Sequence, residues 1–193
     1  MEAFYTLQGE GYYQGEAAYF LRLAGCDVGC HWCDVKESWD ASLHPQLTLE
    51  QIYAPIKDIA SKIVVVTGGE PLQHNLLPLT TFLKAQGLRT HIETSGAYNP
   101  TGYWDWFCLS PKKFKEPTDA SVTAADELKM IIYNKTDFEF AENHARRVKS
   151  SCKLYLQPEW DKSSLILPQI IEYIKSNPKW NISLQIHKYM NIP

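Results

Sequence analysis

Apolar positions in this chain fall into short runs separated by amphipathic segments. The run KIVVV (62–66), rich in β-branched residues, and the apolar run ELKMIIY (127–133) predict strands. Segments with apolar residues three and four positions apart, such as 76–86 and 137–149, predict helices. Because strands and helices alternate along the chain, the pattern predicts an α/β fold with a largely parallel sheet.

The complete assignment also marks where the pattern is irregular. The predicted strands are residues 17–24, 62–66, 88–93, 106–110, 127–133, 153–157 and 182–189. The predicted helices are residues 49–60, 76–86, 137–149 and 164–176. Thr48 and Gln51 have capping-box spacing ahead of the first helix, which Pro55 shortens or weakens. The polar stretch 112–126 predicts a mobile loop over a site. His91 and His187 fall inside predicted strands, which favours positions in the core for these histidines.

Unusual residues gather just after the predicted strands. The segments TGGEP, ETSG, SPKK and QPEW each follow a strand, and a cysteine-rich loop follows the strand 17–24. Because the carboxyl ends of parallel strands form the ligand-binding edge in α/β folds and barrels, these segments predict one site at one edge of the sheet.

Composition narrows the class of protein. The chain has 193 residues, 45% hydrophobic and 21% charged, with a net charge of -3 and a pI near 6.1. This favours a single domain over 1–193 and gives no basic footprint for nucleic acid. No apolar run approaches the roughly 20 residues of a membrane span, and the start of the chain lacks a secretory signal. We therefore expect a cytoplasmic protein whose cysteines are ligands, catalysts or buried thiols.

Three of the five cysteines lie close together in GCDVGCHWCD, residues 25–34. Cys26, Cys30 and Cys33 are spaced C-x3-C-x2-C, which suits a 4Fe–4S cluster whose fourth iron stays open. A zinc site is the alternative, with His31 or His44 as a fourth ligand. The other two cysteines lie in or beside predicted strands, which favours buried thiols.

These motifs resemble those of a known superfamily. C-x3-C-x2-C after the first strand is similar to the signature of radical S-adenosylmethionine (SAM) enzymes, and GGEP and ETSG resemble their strand-end turns. Within that superfamily, several segments spread over nearly the whole chain resemble the 7-carboxy-7-deazaguanine synthase family. They are LQGEG (7–11), FLRLAGC (20–26), TGGEP (67–71), ETSG (93–96), SPK (110–112) and HKYMNIP (187–193).

The resemblance implies a fold and a function. The fold would be an incomplete, modified (βα) barrel of the radical SAM type with a mainly parallel sheet. The reaction would be a lyase reaction that converts 6-carboxy-5,6,7,8-tetrahydropterin to 7-carboxy-7-deazaguanine with loss of ammonia, toward queuosine and related deazapurines. The implied cofactors are a 4Fe–4S cluster and SAM. The implied partners are an electron donor of the flavodoxin or ferredoxin type and a second copy in a homodimer.

The resemblance also implies a cofactor side of the site. Cys26, Cys30 and Cys33 would hold the cluster, and no side chain would be catalytic, because the SAM-derived radical abstracts the hydrogen. The residues implied along the cofactor are His31, Trp32, Gly69, Glu70, Ser95, Ser110, Pro111, Lys112 and Gln157. Other interpretations stay open: the glycine pair could merely turn the chain, Lys112 could be a surface cation, and Gln157 could be an ordinary strand exit.

The implied substrate side draws on both ends of the chain. Its residues are Leu7, Gln8, Gly9, Glu10, Arg22, Thr67 and Pro193. Arg22 is the lone cation of its strand and is assigned to the substrate carboxylate, because a guanidinium binds a carboxylate bidentately. An outward-facing strand position is the alternative for Arg22, and a frayed tail is the alternative for the terminus.

One position departs from the family pattern. Members commonly carry a hydroxyl residue two positions after the last cysteine, where it binds magnesium beside the substrate. Here that position is Val35, which offers no side-chain oxygen for a cation that demands oxygen ligands. We expect weak or absent magnesium dependence. Either substrate and water alone hold the magnesium ion, or the metal is lost and Lys36 or another cation takes its place.

Two other functions share part of the pattern. A radical SAM enzyme that activates a partner protein would share the three cysteines and GGEP, but it would not need LQGEG. A non-enzymatic zinc or iron–sulfur module would need a fourth protein ligand and would not cleave SAM.

Overall fold

Eight strands form one open, mainly parallel sheet in the computed structural model, which describes residues 1–193. The strands lie side by side in chain order. The first two pair antiparallel, and every later neighbouring pair is parallel. The strands are β1 (Glu2–Leu7), β2 (Ala17–Leu23), β3 (Ile63–Gly68), β4 (Arg89–Thr94), β5 (Trp106–Leu109), β6 (Glu127–Ile132), β7 (Lys153–Pro158) and β8 (Asn181–Ile182).

Helices follow most of the parallel strands and supply the crossovers between them. They are α1 (Leu49–Tyr53), α2 (Leu77–Ala85), α3 (Asp119–Ala124), α4 (Thr136–Ala145), α5 (Ser163–Ser176) and α6 (Ile186–Met190). Short 3-10 turns follow β3 and β7, at Pro71–Gln73 and Trp160–Lys162. None of the helices is long and apolar enough to cross a membrane. The predicted α/β architecture with an unclosed, mainly parallel sheet is confirmed.

Alternation along the strands gives the sheet two different faces. On one, which we call the helix face, apolar side chains of β2 to β7 pack against the helices in a core of 24 buried residues. Val64, Val66, Leu128 and Leu156 belong to this core and are fully buried. Each such side chain contributes roughly 1.5–3 kcal/mol by its burial.

The opposite face, which we call the cleft face, carries the alternate residues of the same strands. On β6, Leu128 and Met130 point to the helix face, so Glu127 and Lys129 point to the cleft face. By the same alternation His91 and Glu93 of β4, Cys108 of β5 and Gln157 of β7 share that face. The alternation in β6 therefore supplies core residues and charged residues of the cleft from the same short strand.

Four details of the sequence-based assignment are wrong. The predicted strand 182–189 is a two-residue strand, Asn181–Ile182, followed by the helix Ile186–Met190. The helix predicted over 49–60 is α-helical only over Leu49–Tyr53, although its Thr48–Gln51 capping box is present. The loop predicted at 112–126 contains α3, and the edge strand β1 was not predicted.

Candidate active site

A cleft of about 440 Å³ opens on the cleft face and at the carboxyl ends of the strands. Every residue predicted for the site lines this cleft except Pro111, which is buried between two residues that do. The lining residues from that prediction are Leu7, Gln8, Gly9, Glu10, Arg22, Cys26, Cys30, His31, Trp32, Cys33, Thr67, Gly69, Glu70, Ser95, Ser110, Lys112, Gln157 and Pro193. The fold therefore gathers motifs that are far apart in the sequence into one space.

The cysteine loop leaves β2 and returns through backbone hydrogen bonds. Gly25 N donates to Ser38 O at 2.7 Å, and Cys26 N donates to Trp39 O at 3.2 Å. Gly25 adopts φ 103, a left-handed conformation that favours glycine. The loop is thus anchored at its base while its three thiols remain free.

The chemistry of this loop fits a 4Fe–4S cluster. The cysteines of such a cluster ligate different irons, so the sulfurs need not converge on one point. The chain gathers no group of three or more His, Cys, Asp or Glu side chains around one metal-ion position, and His44 Nε2 is bonded to Glu37 O at 2.9 Å. The zinc alternative with a histidine ligand therefore has no support in this arrangement. Burial raises the pKa of Cys30 to about 11, so cluster binding would displace protons.

The glycine-rich turn after β3 packs directly against the cysteine loop. Gly69 N donates to Leu23 O at 3.0 Å, and Glu70 N donates to Gly25 O at 2.8 Å. A Cβ built on Gly69 would lie 2.3 Å from Gly25 O and 3.0 Å from the Cys26 Cβ. The glycine is therefore required by this close approach and does more than turn the chain.

Glu70 is fully engaged by protein donors. Oε1 accepts from Leu72 N at 3.0 Å and from Thr94 Oγ1 at 2.5 Å, while Oε2 accepts from the Ser95 backbone N at 2.9 Å and from the Ser95 hydroxyl. The side chain is 1% exposed. Glu70 therefore ties the turn after β3 to the end of β4 and fixes two motifs of the cleft relative to each other.

Lys112 lies inside the cleft, which excludes the surface alternative for this residue. Its Nζ donates to Ser110 O at 2.6 Å and to Ser110 Oγ at 2.7 Å, and it lies 5.7 Å from the centre of the Trp32 ring. Burial lowers the pKa of Lys112, and the nearby Cys30 thiol opposes that shift. A cation is thus placed beside the cysteine loop.

The deepest part of the cleft holds two carboxylates around one ammonium group. Lys129 Nζ donates to Glu93 Oε2 at 2.9 Å and also to Glu10 Oε2. Gln8 Nε2 donates to Glu93 Oε1 at 2.8 Å, and Gln185 Nε2 donates to Glu10 Oε1 at 2.8 Å. Donor and acceptor groups from four parts of the chain therefore face one small region.

The charges in this group stabilise one another. Burial alone would lower the pKa of Lys129, but the Glu10 and Glu93 carboxylates hold it well above its usual range. Burial would raise the pKa of Glu10, but Lys129 and Gln185 outweigh burial and lower it to about 2. Glu10 and Lys129 are therefore both charged at neutral pH. The carboxylate oxygens that share Lys129 favour a ligand rich in N–H donors.

Sequence reasoning missed Glu93, Lys129 and Gln185 as site residues, and it treated His187 as a core histidine. His187 lies on α6, lines the cleft, and packs so closely on Gly9 that a Cβ there would lie 2.1 Å from its Nδ1. A signal was present for two of them. Glu93 and Lys129 are charged residues within predicted strands, and charged residues are rarely buried without a partner.

Arg22 lines the cleft near the end of β2. Its Nε is bonded to Glu2 Oε1 on the neighbouring strand at 2.5 Å, and its guanidinium lies 6.0 Å from the Phe4 ring centre. The cation is therefore held at the rim of the cleft by a partly exposed carboxylate.

The C-terminal segment closes one side of the cleft. Ile186 N donates to Gly9 O at 3.0 Å, which joins α6 to the LQGEG segment. Lys188 Nζ lies 3.0 Å from Asp34 Oδ2 in the cysteine loop. Pro193 lines the cleft, so the end of the chain lies against the site.

Fold and site together define a class of protein. Three cysteines follow the first parallel strand, a glycine turn packs on them, and the cleft lies at the carboxyl ends of the strands. The family description "Radical SAM superfamily" matches residues 21–106. The chain is thus a radical SAM protein, and membership of this superfamily implies a 4Fe–4S cluster and SAM as cofactors.

Full-length relatives narrow the class to one family. A 7-carboxy-7-deazaguanine synthase of Flavobacterium psychrophilum is 58% identical over 193 residues, which span 100% of this chain and 91% of that protein. A synthase of the same name from Synechocystis is 47% identical over 99% of this chain and 91% of that protein. The crystal structure of QueE from Escherichia coli matches with a TM-score of 0.79 and 31% identity, covering 95% of this chain and 91% of that one. The chain belongs to the 7-carboxy-7-deazaguanine synthase family.

Proposed function

We propose that this protein converts 6-carboxy-5,6,7,8-tetrahydropterin to 7-carboxy-7-deazaguanine with loss of ammonia, a carbon–nitrogen lyase reaction toward queuosine and related deazapurines. The observation that carries the proposal is the buried Lys129 between the partly buried Glu10 and Glu93, in a cleft that also contains the cysteine loop. A pterin ring presents N–H donors and ring acceptors along one edge, and this group offers carboxylate acceptors beside a cation. Full-length similarity to synthases of that name supports the same assignment.

Cys26, Cys30 and Cys33 would hold the cluster. When bound, the cluster and SAM supply the one-electron chemistry that starts the ring contraction. The chain's own task is to bind and orient the reactants and to keep water out. The remaining cofactor-side residues would line SAM, with Lys112 supplying positive charge and Gly69 an open backbone. They are His31, Trp32, Gly69, Glu70, Ser95, Ser110, Pro111, Lys112 and Gln157.

Glu10, Glu93 and Lys129, which we call the deep group, face the cleft. The substrate ring would lie across them. Arg22 would take the substrate carboxylate at the rim, in competition with Glu2. The other substrate-side residues would fix the ring by backbone contacts, side-chain contacts and shape. They are Leu7, Gln8, Gly9, Thr67 and Pro193.

Magnesium would not be needed for this reaction in this protein. Val35 lines the cleft where the family pattern has a hydroxyl, and its side chain cannot ligate a hard cation. Lys188 stands close by, bonded to Asp34, and brings a positive charge to this side of the cleft. We expect wild-type rates to change less than about twofold on adding magnesium, whereas Val35→Thr gains a magnesium response and Val35→Ala does not. Strict magnesium dependence of the wild-type protein would contradict this part of the proposal.

The proposal includes partners and an organisation. A flavodoxin or ferredoxin type of protein would deliver the electron, and the enzyme would act as a homodimer of 1–193 single-domain chains. Family resemblance supports both points.

An anaerobic turnover assay tests the proposal. The protein with a reconstituted cluster is supplied with reductant, SAM and 6-carboxytetrahydropterin, and the product is identified by mass. We expect 7-carboxy-7-deazaguanine from the wild-type protein and none from Cys30→Ala. Cys152→Ala is the matched control, because Cys152 is a buried thiol of the helix-face core. Cleavage of SAM without any change in the pterin would contradict the substrate assignment and favour an enzyme that activates a partner protein.

A further inference from the structure

A second, much smaller cavity of about 10 Å³ lies beneath the deep group of the cleft. This volume is at the lower limit of about 10–15 Å³ that a cavity needs to hold one water molecule. The only two buried side-chain nitrogen or oxygen atoms of the chain without a hydrogen-bond partner are His91 Nε2 and Glu127 Oε1, and both residues line this cavity. Buried polar atoms are rarely left unpaired, so their coincidence at one cavity indicates a shared partner.

Glu127 also supports the segment that carries Glu10. Its Oε2 accepts from Tyr12 N at 3.3 Å and from Trp106 Nε1 at 2.9 Å. A Cβ built on Gly11 would lie 2.0 Å from Glu127 Oε1, so the backbone at Gly11 rests on this carboxyl group. Residues 8–12, which we call the floor segment, are therefore held from below by one side chain of β6.

The second support of the floor segment comes from the β8 edge of the sheet. Gly11 N donates to Ser183 Oγ at 2.9 Å, and that hydroxyl donates to Gln157 Oε1 at 2.7 Å. The adjacent backbone amides of Gly11 and Tyr12 thus donate hydrogen bonds to Ser183 and to Glu127. Glu127 has no cation of its own, because Lys129 is taken by Glu10 and Glu93.

Glu127 is 2% exposed, and its surroundings disfavour a charge. Burial raises the pKa of Glu127, an effect that Lys129 only partly offsets. Burial likewise lowers the pKa of His91 to about 4, so this imidazole is neutral. The unpaired Glu127 Oε1 and the His91 ring nitrogen can both bond to one water molecule in the cavity between them. Titratable and polar groups surround Glu127 from every neighbouring element. They are Lys129 on its own strand, Glu93 and His91 on β4, Trp106 and Cys108 on β5, Tyr155 on β7, Cys152 just before β7, and Glu10 and Tyr12 of the floor segment.

We propose that Glu127, linked to His91 through one internal water, is a positioning residue that sets the floor segment and thereby places Glu10 for the pterin. This inference rests on the proposed function for the identity of the substrate. The placement of the floor segment itself can be measured on the protein without any ligand.

The test compares Glu127→Gln, which keeps the shape and one acceptor, with Glu127→Ala, which removes both supports. We expect Glu127→Ala to raise the KM for the pterin about tenfold, with kcat and SAM affinity nearly unchanged, and Glu127→Gln to stay close to wild type. Glu142→Ala is the matched control. Glu142 also accepts from a tryptophan, Trp180 Nε1 at 2.8 Å, but it lies outside the cleft.

Hydrogen exchange gives a readout that needs no turnover. In the unliganded protein, we expect the Gly11 and Tyr12 amides to exchange faster in Glu127→Ala than in wild type, with other segments unchanged. If the wild-type protein fails to convert the pterin while this difference is seen, the proposed function fails and the positioning role stands. An unchanged exchange rate at residues 8–12 would overturn the positioning role, whatever the activity.

Stability against pH adds a readout that a purely steric role would not change. Consider a carboxyl group whose pKa is higher in the folded protein than in the unfolded chain. Its contribution to the free energy of unfolding falls as pH rises from the unfolded pKa towards the folded pKa. We therefore expect the stability of Glu127→Gln relative to wild type to increase as pH rises above about 4.5. A difference independent of pH would contradict the raised pKa of Glu127. A Glu127→Gln variant as impaired in KM as Glu127→Ala would contradict positioning by the shape and acceptor that glutamine keeps. A crystal structure with no water between His91 and Glu127 would overturn the bridge.

Discussion

Single charged residues decide what the cleft face can bind. Lys129 is 4% exposed and lies on a strand whose other face is entirely apolar, yet it is stable there because two carboxylates reach it from β4 and from the floor segment. A buried ion group of this kind adds little to stability when complete, but removing one member leaves an unpaired buried charge. Lys129 on this strand therefore depends on Glu10 and Glu93 for its place in the cleft.

Replacing Lys129 with methionine is expected to impair both folding stability and substrate binding. Glu10 and Glu93 would face each other without a cation, and the free energy of unfolding should fall by about 3–5 kcal/mol. Urea unfolding measures this change, and equilibrium binding measures the loss of pterin affinity. Lys175→Met is the control, because Lys175 and Glu172 form an exposed pair on α5 whose loss should cost less than about 1 kcal/mol. Equal effects of the two substitutions would contradict the account.

The sequence identifies those site residues that belong to a local motif with a characteristic spacing. The three cysteines and the glycine turn form local patterns, and the cleft contains them as predicted. Glu93, Lys129 and Glu127 form no local pattern, because they come from β4 and β6 and meet only through the register of the sheet. Partners of that kind become visible once strand order and facing are known.

Contacts between elements explain why the strand-end turns have their sequences. The turn after β3 and the loop after β2 approach so closely at Gly69 and Gly25 that no side chain fits between them. The last element of the chain shows the same influence of tertiary contacts. Residues 182–189 have strand-like composition, but Ile186 N is bonded to Gly9 O, and the chain turns into α6 across the cleft. Propensity alone could not reveal that neighbour.

The variant Gly69→Ala is expected to lose the cluster rather than the fold. Its Cβ would push the Gly25 backbone and Cys26 away from their positions, so the three thiols would no longer be arranged together. Iron content after anaerobic reconstitution measures this effect, and circular dichroism checks the fold. Gly87→Ala is the control, since nothing lies within 4 Å of a Cβ at this helix end, although its φ of +75 also strains an alanine. Full iron content in Gly69→Ala would contradict the proposed role of the contact.

The whole molecule keeps two histidines neutral. Burial lowers the pKa of both His91 and His144 to about 4. A base with a depressed folded pKa contributes stability above its unfolded pKa, and this stability is lost as pH falls from about 6.5 to the folded pKa. Each histidine should account for on the order of 2–3 kcal/mol over this interval.

Unfolding by urea at pH 7.5 and pH 5 tests this dependence. The wild-type protein should lose stability at the lower pH, and His144→Gln should lose less, because glutamine carries no proton in either state. A fall of the same size in both proteins would show that His144 does not titrate as its burial predicts.

Recognition of the substrate by the cleft face is the central claim, and a comparison of two substrates tests it most directly. The reconstituted enzyme is given 6-carboxytetrahydropterin or the same tetrahydropterin without the carboxylate, and products are identified by mass. We expect the deazaguanine product only from the carboxylated pterin, with an Arg22→Met variant losing most of that preference by weaker binding. Equal conversion of both pterins, or no conversion of either while SAM is cleaved, would contradict the claim.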